Sequence, residues 1–148
     1  MSYVKLLNHI IFSTKNREPL ITVEIEDRLI HYIGGIIRNN KGKLLAANTV
    51  PDHIHLYVSM KSTPSVATML RLIKTNSSGW IHDTFHDMKN FAWQKGYGAF
   101  SVSPSNEERV IRYIENQKEH HKKITFKQEF ITFLKRYKIE YDERYIWN

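Results

Sequence analysis

The chain contains no cysteine. That excludes a disulfide scaffold, a thiolate zinc or iron–sulfur centre and any thiol nucleophile. Glycine and proline are scarce, at six and four residues, which excludes collagen-like and linker-like classes. Long apolar runs are missing too. The opening MSYVKLLNHIIFSTKNR is broken at Asn8 and His9, so it reads as neither a signal peptide nor a membrane span, and nothing later approaches one. A cytoplasmic protein with no membrane partner is the default expectation. What is present is 148 residues, 41% hydrophobic and 12% aromatic, enough for one real core. The net charge of +7 favours a polyanionic partner, although many soluble proteins are as basic.

Internal repeats and linkers are absent. The expected unit is one domain over 1–148, with a core of about 1–121 and a C-terminal helical extension of about 122–148. Lys5 to Ser13 reads as a buried strand, and the basic, Pro-punctuated TKNREPL after it as a loop. A helix is expected from Thr22, with Ile25, Leu29, Ile33 and Ile36 as its apolar stripe and Asn39-Asn40-Lys41-Gly42 as its stop. Strands follow at Lys43–Val50 and His53–Met60, joined at Pro51-Asp52. Thr63-Pro64 reads as an N-cap and first helical position, ahead of a stripe at Val66, Met69, Leu70 and Ile73. Tyr97 to Ser103 is a further strand, and Ser105 with Glu108 a capping box opening a helix from Asn106 to about His121. Phe126, Phe130, Phe133, Leu134 and Tyr137 mark a last amphipathic helix. The aromatic tail IEYDERYIW is expected to dock. The first six elements, β-α-β-β-α-β, predict an α+β, ferredoxin-like (RRM-like) antiparallel four-stranded sheet. Its two early helices share one face, its first and third strands are central, and its other face is free for a site.

The third strand carries the chemistry. His53, His55, Tyr57 and Ser59 alternate with Ile54, Leu56, Val58 and Met60. The apolar set suits the helices. The other face offers two imidazoles at i and i+2, a spacing that lets two ring nitrogens converge on one divalent cation. A bare His-x-His on a half-exposed strand is as easily ordinary polar surface. The central position and the preceding Asp52 favour the cation. A histidine-triad hydrolase would need a third His at position 57, which is Tyr. His9 is a possible neighbour or simply a satisfied sheet histidine.

Downstream, Tyr113 and Gln117 lie four apart on one helix face. Periodicity alone fits a surface helix with a packed Tyr and a solvated basic end. The chemical alternative is a phenol made more acidic by a nearby cation and basic groups, able to attack a phosphodiester, with the Gln117 carbonyl oxygen as a third ligand.

Taken together, His53-Ile54-His55, the segment WQKGYGAFSVS from Trp93 to Ser103, and Tyr113-Ile-Glu-Asn-Gln117 followed by His120-His121 resemble the single-tyrosine HUH transposases of bacterial insertion sequences and their REP-associated relatives. The resemblance runs from His9 to the end of the chain. It implies a DNA transposase that cuts and rejoins single-stranded DNA through a 5′-phosphotyrosine link at Tyr113. It further implies Mg²⁺ or Mn²⁺ held by His53, His55 and Gln117, a DNA hairpin as the recognised feature, and a homodimer in which one subunit's tyrosine helix can complete the other's site. The host would be bacterial or archaeal. Candidate phosphate contacts are Lys15, Arg17, Arg71, Lys74, Lys118, Lys122 and Lys123. Two alternatives differ in kind: a domesticated HUH single-strand nuclease, and a non-catalytic RRM-like nucleic-acid module. The module would want a pair of aromatics on the open face of the central strands, and only Tyr57 is there.

Overall fold

The computed structural model describes residues 1–148. Its order is β1 (Leu6–Ser13), α1 (Val23–Asn39), β2 (Lys43–Val50), β3 (His53–Met60), α2 (Val66–Thr84), β4 (Gly98–Ser101), α3 (Glu107–Glu115), α4 (Gln117–His120) and α5 (Phe126–Arg136). Short 3-10 turns occupy Lys15–Arg17 and Pro104–Asn106. The strands form one antiparallel sheet in the order β2-β3-β1-β4. This is the expected ferredoxin-like sheet, with β1 and β3 in the centre.

Alternation on β3 divides the molecule. Ile54, Leu56, Val58 and Met60 face α1 and α2 in a core of 19 buried residues that includes Ile25, Leu29, Met69 and Ile73. Burying each such aliphatic side chain is worth about 1.5–3 kcal/mol, enough to carry α1 through Gly34-Gly35 without a break. The helix α2 begins two residues later than the Thr63-Pro64 reading. Ser65 is its N-cap and accepts from the Thr68 amide at 3.1 Å. It then runs through Ser77-Ser78-Gly79 to Thr84, where the buried Ser77 hydroxyl accepts from Trp93 Nε1 at 3.0 Å.

The second face is not open, contrary to expectation. The helices α3, α4 and α5 cover it. Two small clusters hold them there: Ile11 and Phe100 with Phe126, Phe133 and Leu134, and Leu7, Tyr57 and Val102 with Ile114. Gly98 permits the close seat of α5, because a Cβ there would lie 2.8 Å from Phe130 Cε1 and 2.9 Å from Phe100 Cε2. The aromatic tail docks as expected, with Tyr141, Ile146 and Trp147 against the first of these clusters.

The single helix expected from Asn106 to His121 is interrupted. The Ser105–Glu108 capping box does not form, because Pro104 starts a 3-10 turn and Ser105 Oγ meets Ser103 Oγ instead. A break at Asn116 then separates α3 from α4. Asn48 of β2 stabilises it by donating to the carbonyls of Ile114 at 3.0 Å and Glu115 at 3.1 Å, two acceptors that a helix end leaves without partners.

Candidate metal and nucleophile site

Register builds the site. Antiparallel pairing sets Ser13 opposite His53, Ile11 opposite His55 and His9 opposite Tyr57, so His9, His53 and His55 share the covered face. From the other side, α4 ends next to His121, and α5 presents Glu129 from its first turn. That start is fixed by a capping box between Thr125 and Gln128, and the helix dipole there favours a carboxylate.

Glu129 is the hub and is only 1% exposed. Its Oε1 lies 3.0 Å from His55 Nε2, 3.0 Å from His121 Nε2 and 3.5 Å from His53 Nε2. His53 Nε2 and His121 Nε2 are 3.1 Å apart. The second oxygen, Oε2, accepts from the Tyr113 hydroxyl. That hydroxyl also meets His120 Nε2 at 3.2 Å. The Tyr113 ring stands 6.0 Å from the ring of His55. One chain therefore brings together residues that lie sixty positions apart.

Neighbours fix the ring orientations. Asp52 Oδ1 sits 2.7 Å from His53 Nδ1, and His9 Nε2 sits 2.8 Å from His55 Nδ1. With those nitrogens engaged, both Nε2 atoms point into the site, as second-layer partners orient histidine rings around a metal. Burial, with His55 beside it, holds His9 down at about 3, so it stays neutral. Burial lowers His55 to about 4 against the pull of Glu129. Burial also works against protonated His53, but hydrogen bonds to Asp52 and Glu129 outweigh it and raise the group. Burial alone would push the Glu129 carboxyl up; hydrogen bonds from His121, His53 and His55 reverse this and hold it ionised, well below the usual carboxylate range. A buried carboxylate persists only with such partners.

The donor set fits a divalent cation. His53, His55, His121 and Glu129 each offer one atom, all within 4.8 Å of one another. Neighbouring donors around a metal with bonds of about 2.0–2.2 Å are separated by roughly 3 Å, close to the 3.0, 3.0 and 3.5 Å from Glu129 Oε1 to the three imidazoles. Gln117 is fully buried. Its Nε2 donates to the Tyr113 carbonyl at 3.1 Å, and its Oε1 has no hydrogen-bond partner.

One expectation reverses. Burial and the charge of Glu129 raise the Tyr113 phenol above its ordinary range; the phenolate is not favoured by this protein environment alone. Nothing in the sequence reading marks Glu129, and His121 enters it as part of the motif that follows Gln117, with no ligand role. A signal existed. Glu129 falls three after Phe126 and four before Phe133, an acid on an otherwise apolar stripe.

The basic residues scatter. Arg17 lies against Trp147, its guanidinium 5.5 Å from the ring centre. Arg71 and Lys74 line a cleft with Trp93 and Lys95, but Lys74 Nζ is turned onto the carbonyls of Gln94 and Gly96, and burial lowers it to about 8. Lys118 Nζ bonds Asn48 Oδ1 at 2.7 Å and Thr49 O at 3.1 Å. Lys122 pairs with Glu119 at 2.9 Å on the surface. Lys15 and Lys123 are exposed.

Comparison with known proteins agrees with this geometry. The family model described as "Transposase IS200 like" matches residues 2–117. The chain is 23% identical to the ISDra2 transposase TnpA of Deinococcus radiodurans, over 74% of this chain and 81% of that one. It is 27% identical to the transposase for insertion sequence element IS200 of Salmonella typhimurium, over 77% of this chain and 78% of the relative. Among solved structures, a proposed transposase from Deinococcus radiodurans R1 superposes with a TM-score of 0.63 at 26% identity, covering 79% of this chain and 95% of that one. A REP-associated tyrosine transposase, solved bound to a REP hairpin, shares the fold with a TM-score of 0.62 at 20% identity, over 82% of this chain and 72% of its own. No helix here is long and apolar enough to cross a membrane. With a His/His/Glu cluster suited to a divalent cation beside a helix-borne tyrosine, the chain belongs to the IS200-like family of transposases, HUH-type enzymes that cut and rejoin single-stranded DNA with the help of a metal ion.

Proposed function

We propose that Tyr113 is the nucleophile of this transposase and that His53, His55 and Gln117 ligate its cation, joined by His121 and Glu129. The observation that carries the reading is that Tyr113 and His55 bond to the same buried carboxylate, Glu129, within one chain. A divalent cation in that cage supplies Lewis-acid polarisation of the scissile phosphate. Three imidazoles beside one carboxylate suit Mn²⁺ better than the oxygen-seeking Mg²⁺.

The residues then have defined tasks. The Tyr113 oxygen, oriented by its hydrogen bond to Glu129 Oε2, attacks phosphorus, and its proton passes to His120 Nε2, 3.2 Å from the hydroxyl. The bond to the 3′ oxygen breaks, and that oxygen leaves as a free hydroxyl after protonation. The 5′ side stays on Tyr113 as a phosphodiester. Bond energy is conserved, so a second 3′ hydroxyl can reverse the step without ATP.

The substrate is single-stranded DNA carrying a hairpin, and the host a bacterium or archaeon whose cytoplasm holds that DNA. Its grip draws on Arg17, Arg71, Lys118, Lys122, Lys123 and Lys15, while Lys74 serves by holding the Gln94–Gly96 loop. Two copies acting as a homodimer supply surface that 148 residues lack, each with its own Tyr113 over its own cage. The whole chain works as one unit, because the extension after 121 brings Glu129.

The test mixes the protein with a labelled hairpin-bearing single strand and Mn²⁺ and runs a denaturing gel. A protein–DNA adduct is expected and Tyr113→Phe abolishes it. An adduct that persists in Tyr113→Phe overturns the assignment.

A further inference from the structure

The docked tail does more than cover the sheet. Between it and the Gln94–Tyr97 loop lies a cleft of about 310 Å³, at the small end of ligand-binding clefts (roughly 300–1,000 Å³). Its walls are ring systems: Tyr97, Phe126, Phe130, Tyr141 and Trp147. Protein interiors close-pack and do not leave such a space among aromatics. Arg17 and Lys95 also line it, against a single acid, Glu140.

Position relates the cleft to the chemistry. Phe126 is the shared wall, with its ring 4.8 Å from His53 on one side and 5.5 Å from Phe130 and 6.4 Å from Trp147 on the other. Ser13, opposite His53 in the sheet, lines the cleft too. Arg17 is held toward it by uncommon backbone, since Asn16 and Arg17 have φ of 54° and 57°. The Arg17 guanidinium donates to the Trp147 carbonyl at 3.4 Å. On the far side of the Gln94–Tyr97 loop lies the cleft lined by Arg71 and Lys95. A backbone crossing that loop has cations on both sides of it and rings beneath.

We infer that this cleft is a subsite for one unstacked nucleobase of the single strand, the base flanking the phosphate that Tyr113 attacks. Flat apolar walls with cations at the rim match an aromatic heterocycle on an anionic backbone, and stacking of this kind tolerates any base. The central strands lack the aromatic pair of an RRM-like sheet; here the C-terminal tail supplies the platform instead. The inference rests on the strand-transfer reading.

The test uses the full chain in EDTA, so that nothing is cut, and measures anisotropy with two labelled probes, a short thymidine oligonucleotide and its abasic counterpart with the same phosphates. The base-bearing strand should bind about tenfold more tightly, in the range that one stacked base supplies. Trp147→Leu should reduce it to the abasic affinity without altering abasic binding, and Trp147→Phe should restore most of the difference. A strand carrying 5-iododeoxyuridine should crosslink to the peptide holding Trp147 or Tyr97. Equal binding of the two probes, or crosslinks that map elsewhere, overturns the subsite. If Trp147→Leu fails to fold, the wild-type crosslink decides. Absence of both strand binding and the Tyr113 adduct overturns the strand-transfer reading; an adduct without base preference overturns the subsite alone.

Discussion

The two faces of the sheet are built from the same strands to opposite ends. One meets α1 and α2 through a continuous apolar core of 19 residues. The other meets α3–α5 through clusters of five and four residues, with a wedge of buried His9, His53, His55, Gln117 and Glu129 between them. Stability is concentrated where nothing reacts. Chemistry sits where apolar packing is interrupted, so each polar group there needs a partner, and a cation is the partner that the donor geometry suits.

This division can be broken from either side. The largest effect is expected from His55→Ala, which removes one donor: adduct formation should fall at least about a thousandfold while hairpin binding stays within a few fold, because backbone grip and metal ligation are separable. Gel retardation lost together with cleavage would show that they are not. Leu56→Ala attacks the other face. It should cost about 2–5 kcal/mol of stability in denaturant melts, yet the folded fraction should still form adduct. Asp52→Asn sharpens the comparison, since it leaves the cage intact and loosens only the orientation of His53. A 10- to 100-fold loss of Mn²⁺ affinity by calorimetry is expected, with little change in melting.

Titration gives the smallest effect. In the metal-free protein His9 and His55 are held at about 3 and about 4, below their ordinary 6.5. The unfolded chain takes up protons there that the native chain refuses, so their contribution is full above pH 6.5 and declines as pH falls toward 4. His53 is raised; it is protonated in both states over that window and adds no slope. His9→Gln should flatten the acid-side loss by one proton, about 1.4 kcal/mol per pH unit. An unchanged slope in urea melts at several pH values would refute neutral His9.

Why the polar face was only half legible follows from what each segment advertises. Period two on His53–Met60 displays both its faces at once, and Tyr113 with Gln117 carries a spacing that means something only beside a cation. The covering of that face was not legible. Tyr57 and Ile114 bury together through contacts with no local signature. The kink at Asn116 depends on Asn48, a strand residue far away in sequence. Glu129 reads as a solvated helix acid until the helix is seen from its buried side. The stretch from Ser77 onward carries no clear period, yet the helix continues to Thr84, with Trp93 Nε1 engaging Ser77. In each case a distant side chain decides what a local pattern becomes.

Chain order gives the Glu129 hub a last consequence. His121 and Glu129 both follow Tyr113, and both lie beyond the residues that match the family model. A polypeptide still emerging from the ribosome therefore presents Tyr113 before it owns the complete His53, His55, His121 and Glu129 cluster. The four-residue cluster is complete only with α5, after every strand of the sheet has been translated.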